Sequence, residues 1–157
     1  MINLSTIRQR LEVQGFLGLT DDELKTIGSW MRFTPVLNLT ITVIATVLSS
    51  IPLLLGLTIL MVAGAIMPIH PFDALYNNLF RRLIHTQSLP RSGFRRRIVF
   101  AVGATWLLLT TGAFFFGLSG LGYVLGGLMA VLITPLASIH FCVLSEGMTR
   151  IFGPPVK

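Results

Sequence analysis

Two histidines are the residues best placed to do chemistry in this sequence. His70 and His140 lie at an offset of 70, and each follows an isoleucine in an otherwise apolar stretch. Ionisable side chains inside a membrane protein are candidates for function by default. Two imidazoles that face each other could ligate a haem or a bacteriochlorophyll, or hydrogen-bond a quinone. The alternative is structural, because an imidazole near a helix end can reach water or cap the helix.

The other reactive side chains argue against catalysis. Cys142 is the only cysteine, which excludes an internal disulfide and a four-cysteine metal site. Cys142 and Ser145 have Cys-x-x-Ser spacing, but a buried thiol is usually inert unless a positive group or a helix N-terminus lowers its pKa, so redox chemistry is not expected. Asp73 is expected to cap a helix or to pair with an arginine. Since no phosphate loop, zinc motif or nucleophile elbow is present, we expect that the protein is not an enzyme.

The composition excludes a soluble globular domain. Hydrophobic residues make up 53% of the 157 residues and charged residues 11%, against about 25% charged in an average soluble domain. No charged residue lies between Arg32 and Asp73, and none lies between Arg97 and Glu146. A membrane-spanning helix needs about 20 apolar residues, so each run is long enough for two crossings. The sequence therefore predicts an integral membrane protein.

Turn-forming residues divide each uncharged run near its middle. Ser49–Pro52 interrupts the first run, and Gly117–Gly120 interrupts the second. Lipid offers the backbone no hydrogen-bond partners, so each half should be a helix. The predicted fold class is an all-α membrane protein with four transmembrane helices arranged as two helical hairpins and with short interfacial amphipathic helices. The four predicted helices cover residues 34–50, 52–70, 97–117 and 120–142.

The basic residues predict the orientation. They precede the first hairpin, separate the two hairpins and follow the second, whereas neither hairpin turn carries a charge. Because Lys and Arg are retained in cytoplasmic loops, both termini are expected on the cytoplasmic side of a bacterial inner membrane. The predicted segments are an interfacial N-terminal segment, hairpin 1, a central amphipathic helix with a basic loop, hairpin 2 and a cytoplasmic tail: 1–33, 34–70, 71–96, 97–142 and 143–157.

The central segment concentrates the positive charge. Six arginines stand there against one aspartate, and five of the six are predicted to form an interaction surface: Arg81, Arg82, Arg95, Arg96 and Arg97. One interpretation is a positive-inside signal that also binds anionic lipids. The other is a docking site for an acidic partner. Nucleic acid is not an expected partner, because no recognition module surrounds the arginines.

Two amphipathic segments flank the first hairpin. Thr20–Glu23 has the pattern of a capping box, which predicts a helix start, and an apolar stripe follows at Leu24, Ile27 and Met31. The second stripe consists of Phe72, Leu75, Leu79 and Leu83. We expect both segments to lie on the membrane surface, or to dock on another subunit.

Small and polar residues mark helix faces that should pack against protein. In the fourth helix, small residues recur every four positions at Gly122, Gly126, Ala130 and Thr134. Such a strip lets another helix approach closely, either within the chain or at an external interface. The first helix carries its polar residues along one face, at Asn38, Thr42, Thr46 and Ser49, which should avoid lipid.

The two halves also resemble each other. Leu55-Gly56 matches Leu125-Gly126, and Ile69-His70 matches Ile139-His140, all at the same offset. A duplication would relate the hairpins by a pseudo-twofold axis along the membrane normal.

The second half carries the pattern of a known family. Leu-Gly-Tyr-Val-Leu-Gly (121–126) and Ile-His-Phe-Cys-Val-Leu-Ser-Glu (139–146) resemble domain-of-unknown-function family 4395, with a likeness that covers about residues 30–152. The resemblance implies a small four-helix membrane protein and no defined activity. Many members carry a second cysteine three positions after the first. Ser145 stands at that position here, so the resemblance does not extend to a dithiol.

These observations lead to one functional expectation and one alternative. We expect a non-catalytic accessory subunit of a larger bacterial membrane complex, photosynthetic or respiratory, whose partners are other membrane subunits and anionic lipids. No cofactor is required by this interpretation. The alternative is a protein that binds haem, a chlorin or a quinone through His70 and His140. A transporter is less well supported, because no broken helix carries a charge at the membrane centre.

Overall fold

The N-terminal residues form two short helices. The computed structural model describes residues 4–84 and 86–153, which are helical apart from turns and connecting segments, with no strand among them. Helix α1 is Leu4–Val13, which the sequence pattern did not predict, and α2 is Asp21–Ile27. The predicted capping box is confirmed, because Thr20 Oγ1 accepts from the Glu23 amide and the Glu23 carboxylate accepts from the Thr20 amide. The Thr20 amide and hydroxyl both donate to the Glu23 carboxylate, and they hold the pKa of Glu23 below its ordinary value.

The second helix of the first hairpin ends earlier than predicted. A single 3-10 turn, Trp30–Arg32, leads into α3, Phe33–Val47, and α4 is Ile51–Ile66. The predicted break is confirmed at Ser49, whose φ is 48°. The predicted extension of the second helix to residue 70 is wrong. Pro68 and Pro71 lack an amide hydrogen and restrict the residues before them, so the helix ends first.

A bent helical segment follows α4. It consists of α5, Pro71–Leu75, a π turn, Tyr76–Phe80, and α6, Arg81–Ile84. Its axis makes an angle of 85° with α4. The predicted apolar stripe remains exposed at Leu75, Leu79 and Leu83.

The second hairpin has two longer helices. Helix α7 is Phe94–Phe115, α8 is Ser119–Ile139, and the amphipathic α9, Val143–Phe152, follows. The chain reverses at Gly117, whose φ of 74° lies in the left-handed region that glycine adopts without strain. The predicted break in the second run is therefore confirmed.

Three to four helices are suited to crossing a membrane. Among the described residues, Trp30–Val47, Phe94–Phe115 and Ser119–Ile139 are long and apolar enough to span one. The bent pair Ile51–Ile66 and Pro71–Leu83 adds a fourth if it counts as one broken span. Helix α4 alone has 16 residues, which is about 24 Å at 1.5 Å per residue and less than the ~30 Å of a hydrocarbon core.

The four apolar helices form a closed bundle. Helix α4 packs against α7, α7 against α8, α8 against α3 and α3 against α4. Their shared core is apolar: Ala45, Leu54, Leu57, Met61, Phe100, Ala104, Leu107, Phe114, Met129 and Ile133.

A second core lies beneath the N-terminal helices. It joins residues from α1, α2, the bent segment and the loop before α7: Leu11, Phe16, Leu24, Ile27, Met31, Tyr76 and Leu89. The predicted stripe of Leu24, Ile27 and Met31 thus packs within the chain. The expectation that this stripe lies on the membrane surface or docks on another subunit is wrong, because the chain itself covers it.

The small residues of α8 also serve packing within the bundle. A Cβ atom on Gly126 would lie 2.3 Å from Thr46 Oγ1, and one on Gly122 would lie 2.7 Å from the Phe114 ring. Ala130 is half-buried and Thr134 is exposed. Of the two alternatives for this strip, the structure has internal packing at both glycines. Their partners lie on α3 and α7.

The close contact between α8 and α3 predicts different effects of two single substitutions at neighbouring glycines. Gly126→Ala should lower the free energy of unfolding by about 1–3 kcal/mol, because the added methyl group overlaps Thr46. Gly127→Ala is the matched control, since no atom of residues 4–84 and 86–153 lies within 4 Å of its added methyl group. Thermal unfolding in detergent measures both. Equal stability of the two variants would contradict the close approach of α3 and α8.

Candidate ligand-binding cavity

The ends of α4 and α8 are held by arginines. The last carbonyls of a helix have no partner within the helix and carry its negative dipole end. Arg97 donates to the carbonyls of Ala65 and Ile66 at 2.8 and 2.7 Å. Arg10 and Arg32 donate to the last carbonyls of α8, those of Ile139 and Ser138, each at 2.7 Å. The ends of α4 and α8 therefore lie at the same end of the bundle as the starts of α3 and α7.

A buried ion pair occupies the same end of the bundle. Arg96 Nη1 lies 2.7 Å from Asp73 Oδ2, and the two side chains are 11% and 1% exposed. The Arg96 guanidinium is close enough to Asp73 Oδ2 for an ion pair, but its N–H groups are not aligned for a hydrogen bond to that oxygen. Asp73 Oδ1 also accepts from Thr34 Oγ1 at 2.6 Å. Arg96 further lies over the rings of Phe16 and Phe100, at 5.0 and 5.2 Å from their centroids.

Asp73 therefore pairs with an arginine, one of its two predicted roles. Helix capping, the other predicted role, belongs to His70. Its Nδ1 accepts from the Phe72 amide at 3.2 Å, and His70 is the N-cap residue of α5. The ring packs on Phe100, with centroids 4.4 Å apart, and against Gly64, where a Cβ atom would lie 2.1 Å from it. The Nε2 atom of His70 is buried, and no described residue provides it with a hydrogen-bond partner.

His140 ends α8 in a different environment. It has a left-handed backbone, with φ of 59°, and its Nε2 lies 2.7 Å from the Gly28 carbonyl. Gln14 Nε2 donates to the His140 carbonyl at 2.7 Å. Burial lowers the pKa of His140, and nearby Arg32 and Arg10 lower it further, against the opposing effect of the Gly28 hydrogen bond.

The two histidines thus contact different residues and play different roles. His70 begins a helix and His140 ends one. The matched glycines differ as well, since Gly126 contacts Thr46, whereas in the described part of the chain nothing lies within 4 Å of a Cβ atom on Gly56. The proposed duplication finds no support in these local environments.

The predicted arginine surface divides into two groups. Arg95, Arg96 and Arg97 are engaged within the chain, with Arg95 donating to Thr149 Oγ1 and to the Gly153 carbonyl. Arg81 and Arg82 are exposed. Only this second pair, among the five predicted residues, keeps a side chain that solvent or lipid can reach fully.

A cavity of about 130 Å³ lies inside the bundle near the arginine-rich end. All four apolar helices contribute to its wall, and so does the start of α9. Its apolar lining includes Met61, Phe100, Trp106, Met129 and Ile133. Thr34 and Arg96 also line it, so the buried ion-pair network forms one boundary.

Two polar residues in the cavity wall carry side-chain oxygens without partners. Asn38 and Ser145 line the cavity at 2% and 1% exposure, and neither Asn38 Oδ1 nor Ser145 Oγ has a hydrogen-bond partner among the described residues. Buried polar groups are normally paired, and an unpaired one costs about 1–3 kcal/mol. A few polar residues in the wall of an apolar cavity can orient a guest molecule.

Sequence reasoning found part of this site. It predicted that the polar face of α3 avoids lipid, which is confirmed for Asn38, Thr42 and Thr46. It did not assign Asn38 or Ser145 to a common site. The sequence does show polar residues in apolar helices. Whether two of them line the same cavity depends on how α3 and the start of α9 pack in the bundle. Cys142, treated as an inert buried thiol, is buried in the cavity wall.

The sequence profile described as "Domain of unknown function (DUF4395)" matches residues 29–146. This chain belongs to that family. The DUF4395 match runs from just before α3 to the start of α9, so it includes Asn38, Cys142 and Ser145, and it agrees with the extent expected from the motifs. No curated protein and no solved structure matches the sequence.

The buried ion pair predicts a strong effect of neutralising one partner. Asp73→Asn should lower the free energy of unfolding by about 3–5 kcal/mol, because it leaves the Arg96 charge buried without a counter-ion. The matched control is Asp21→Asn, which breaks the exposed Arg8–Asp21 pair and should cost less than about 1 kcal/mol. Denaturant unfolding in detergent measures the difference. Similar losses in both variants would contradict a structural role for the Asp73–Arg96 pair.

Proposed function

We propose that this chain is a non-catalytic membrane protein that binds a small, neutral, mostly apolar molecule inside its helical bundle. The observation that carries the proposal is the mostly apolar cavity, whose wall also contains the polar residues Thr34, Asn38 and Ser145. Ligand sites in proteins are typically apolar, with a few polar groups that orient the guest. A cavity of about 150 Å³ accepts benzene, so the space here suits a guest of about one ring.

The proposal includes a location and an orientation. The protein is a four-span protein of a bacterial inner membrane, with both termini and the arginine-rich segment in the cytoplasm. The support is the charge distribution: arginines hold the helix ends at one end of the bundle, whereas both hairpin turns at the other end are uncharged.

The haem or chlorin site predicted at His70 and His140 stays a prediction. His70 Nδ1 and His140 Nε2 are both engaged with backbone groups of this chain. The cavity supports a ligand without requiring either imidazole, so we do not base the function on the histidines.

Filling the cavity tests the proposal. A side chain on Gly103 would point toward Met61 and Met129, with its Cβ at 3.4 Å or more from their nearest atoms. Gly103→Val should therefore fold but exclude the guest. Gly112→Val, on the same helix, is the matched control, because no atom of the described residues lies within 4 Å of a Cβ atom added there. Organic extracts of the purified proteins, analysed by mass spectrometry, should contain one small molecule that is lost only from Gly103→Val. An extract in which the two variants do not differ would overturn the proposal.

A second candidate function is that of an accessory subunit in a larger membrane complex. The favouring observation is the exposed pair Ile151 and Phe152, 74% and 78% exposed at the end of α9 and outside the apolar spans. Another membrane subunit is the proposed occupant of this surface.

Cross-linking followed by purification in mild detergent tests the accessory role. Replacing both Ile151 and Phe152 with serine should remove the cross-linked partner. The same change at Phe115 and Phe116, which are equally exposed at the opposite end of the bundle, should leave the partner in place. Recovery of the unaltered protein alone, as a stable monomer, would overturn this role.

A further inference from the structure

We propose that the bent segment, Pro71–Leu83, lies in the cytoplasmic surface of the bilayer and binds anionic phospholipids through Arg81 and Arg82. The inference rests on the proposed membrane location and orientation, and it is independent of the cavity. It adds a second binding site and names the chemical class of its ligand, a phospholipid whose headgroup carries a net negative charge.

The position of the bent segment follows from α4. Arg97 holds the last carbonyls of α4 at the arginine-rich end of the bundle, and the segment begins at Pro71, soon after α4 ends at Ile66. Its axis makes an angle of 85° with α4. A spanning helix is tilted by only about 20° from the bilayer normal on average. The segment therefore runs close to the membrane plane, along the cytoplasmic surface in the proposed orientation.

The depth of the segment follows from the length of α4. Its 16 residues are about 24 Å long, which is less than the ~30 Å of a hydrocarbon core. When the start of α4 reaches the far boundary of the core, its end lies inside the near boundary and not above the headgroups. The bent segment consequently lies at the level where acyl chains meet headgroups.

One side of the segment is fixed to the rest of the chain. Tyr76 is fully buried, and its ring packs on Trp30 with centroids 5.3 Å apart. The Asn77 side chain makes two hydrogen bonds with the backbone of Leu89, at 2.7 and 3.3 Å. These contacts hold the segment in one orientation, so the side chains that point away from the bundle form a fixed surface.

The other side of the segment carries the apolar stripe. Leu75, Leu79 and Leu83 recur every four residues and are 43%, 52% and 70% exposed. Water around these leucines would be unfavourable. On a helix that lies in the membrane plane, such a stripe is buried in the boundary between headgroups and acyl chains. The acyl chains of the cytoplasmic leaflet are therefore the occupant of the stripe.

The lipid class follows from charge. Arg81 and Arg82 are exposed, and neither takes part in an ion pair among the described residues. The nearest acid in the sequence, Asp73, is already paired with Arg96. An arginine can keep its apolar stem in the acyl boundary while its guanidinium binds phosphate oxygens through paired hydrogen bonds. Two adjacent arginines favour an anionic headgroup, because a zwitterionic one does not balance their charge.

An acidic protein surface is the other chemistry that matches two arginines. It would account for Arg81 and Arg82, but not for the exposed leucines beside them or for the direction of the segment along the membrane plane. An anionic phospholipid accounts for all three features with one occupant.

Spin labels measure the depth of the segment. Cys142 is the only cysteine, so Cys142→Ala is the background for single labels. One nitroxide is attached at Leu79→Cys and one at Gln87→Cys, an exposed polar position beyond the segment. In liposomes of phosphatidylcholine and phosphatidylglycerol, oxygen, which concentrates in hydrocarbon, should relax the label at position 79. A water-soluble nickel chelate should relax the label at position 87.

A label at Leu108→Cys, an exposed position in α7, separates two kinds of failure. If the chelate relaxes the label at position 79 while oxygen relaxes the one at position 108, the bundle spans the bilayer but the lipid site is overturned. The segment is then a surface for an acidic protein. If the chelate relaxes the labels at both positions, the proposed membrane location itself fails.

Double variants of matched charge test the headgroup class. Arg81→Gln with Arg82→Gln removes the proposed site, whereas Arg91→Gln with Arg150→Gln removes two other exposed arginines. Phosphatidylglycerol and phosphatidylcholine are titrated into the detergent-solubilised protein, and native mass spectrometry measures the bound lipid.

The preference for phosphatidylglycerol should fall about fivefold for each arginine removed at positions 81 and 82. It should stay at the level of the unaltered protein in the other double variant. An equal loss in both double variants, or no preference for phosphatidylglycerol in the unaltered protein, would overturn the anionic phospholipid site.

Discussion

Much of the structure depends on the carbonyl groups left unpaired at the ends of α4 and α8. These groups are strong acceptors at the negative ends of two helix dipoles, and in a mostly apolar protein few polar side chains are available to satisfy them. Arg97 bonds the end of α4, while Arg10 and Arg32 bond the end of α8. Each of these hydrogen bonds links a helix end to a distant part of the chain. Together they gather both hairpins and the N-terminal helices at one end of the bundle.

The same constraint shapes the cavity. Once Arg97 is anchored to α4, the preceding Arg96 lies inside the chain, where it pairs with Asp73 and packs on Phe16 and Phe100. Asp73 in turn bonds Thr34 at the start of α3. This network closes one boundary of the space between the helices, and the apolar side chains of α7 and α8 form most of the remaining wall. Part of the positive charge between the hairpins therefore lies in the interior, where Arg96 belongs to the buried network.

The elements were predictable where local patterns decide them. Uncharged runs and turn residues predicted two hairpins, and the capping box predicted the start of α2, because these signals act over a few residues. The sequence predicts an end of α4 that is too late, because the apolar pattern continues past the point where Pro68 and Pro71 end the helix. The stripe of Leu24, Ile27 and Met31 was correctly recognised as amphipathic, but its partner was not. An apolar stripe on a helix indicates that an apolar surface covers it. Only the tertiary structure shows that this surface comes from α1 and Tyr76.

By itself the sequence determined the composition of an apolar helical protein, the two breaks and the concentration of arginines between the hairpins. It also carried the family motifs. The tertiary structure decided which arginines are engaged, how His70 and His140 are used, and that Asn38 and Ser145 line one cavity. The physical reason is the distance along the sequence over which each kind of interaction acts. Helix formation and capping depend on neighbours within a turn or two, whereas a cavity and its unpaired polar atoms depend on how helices distant in the sequence pack together.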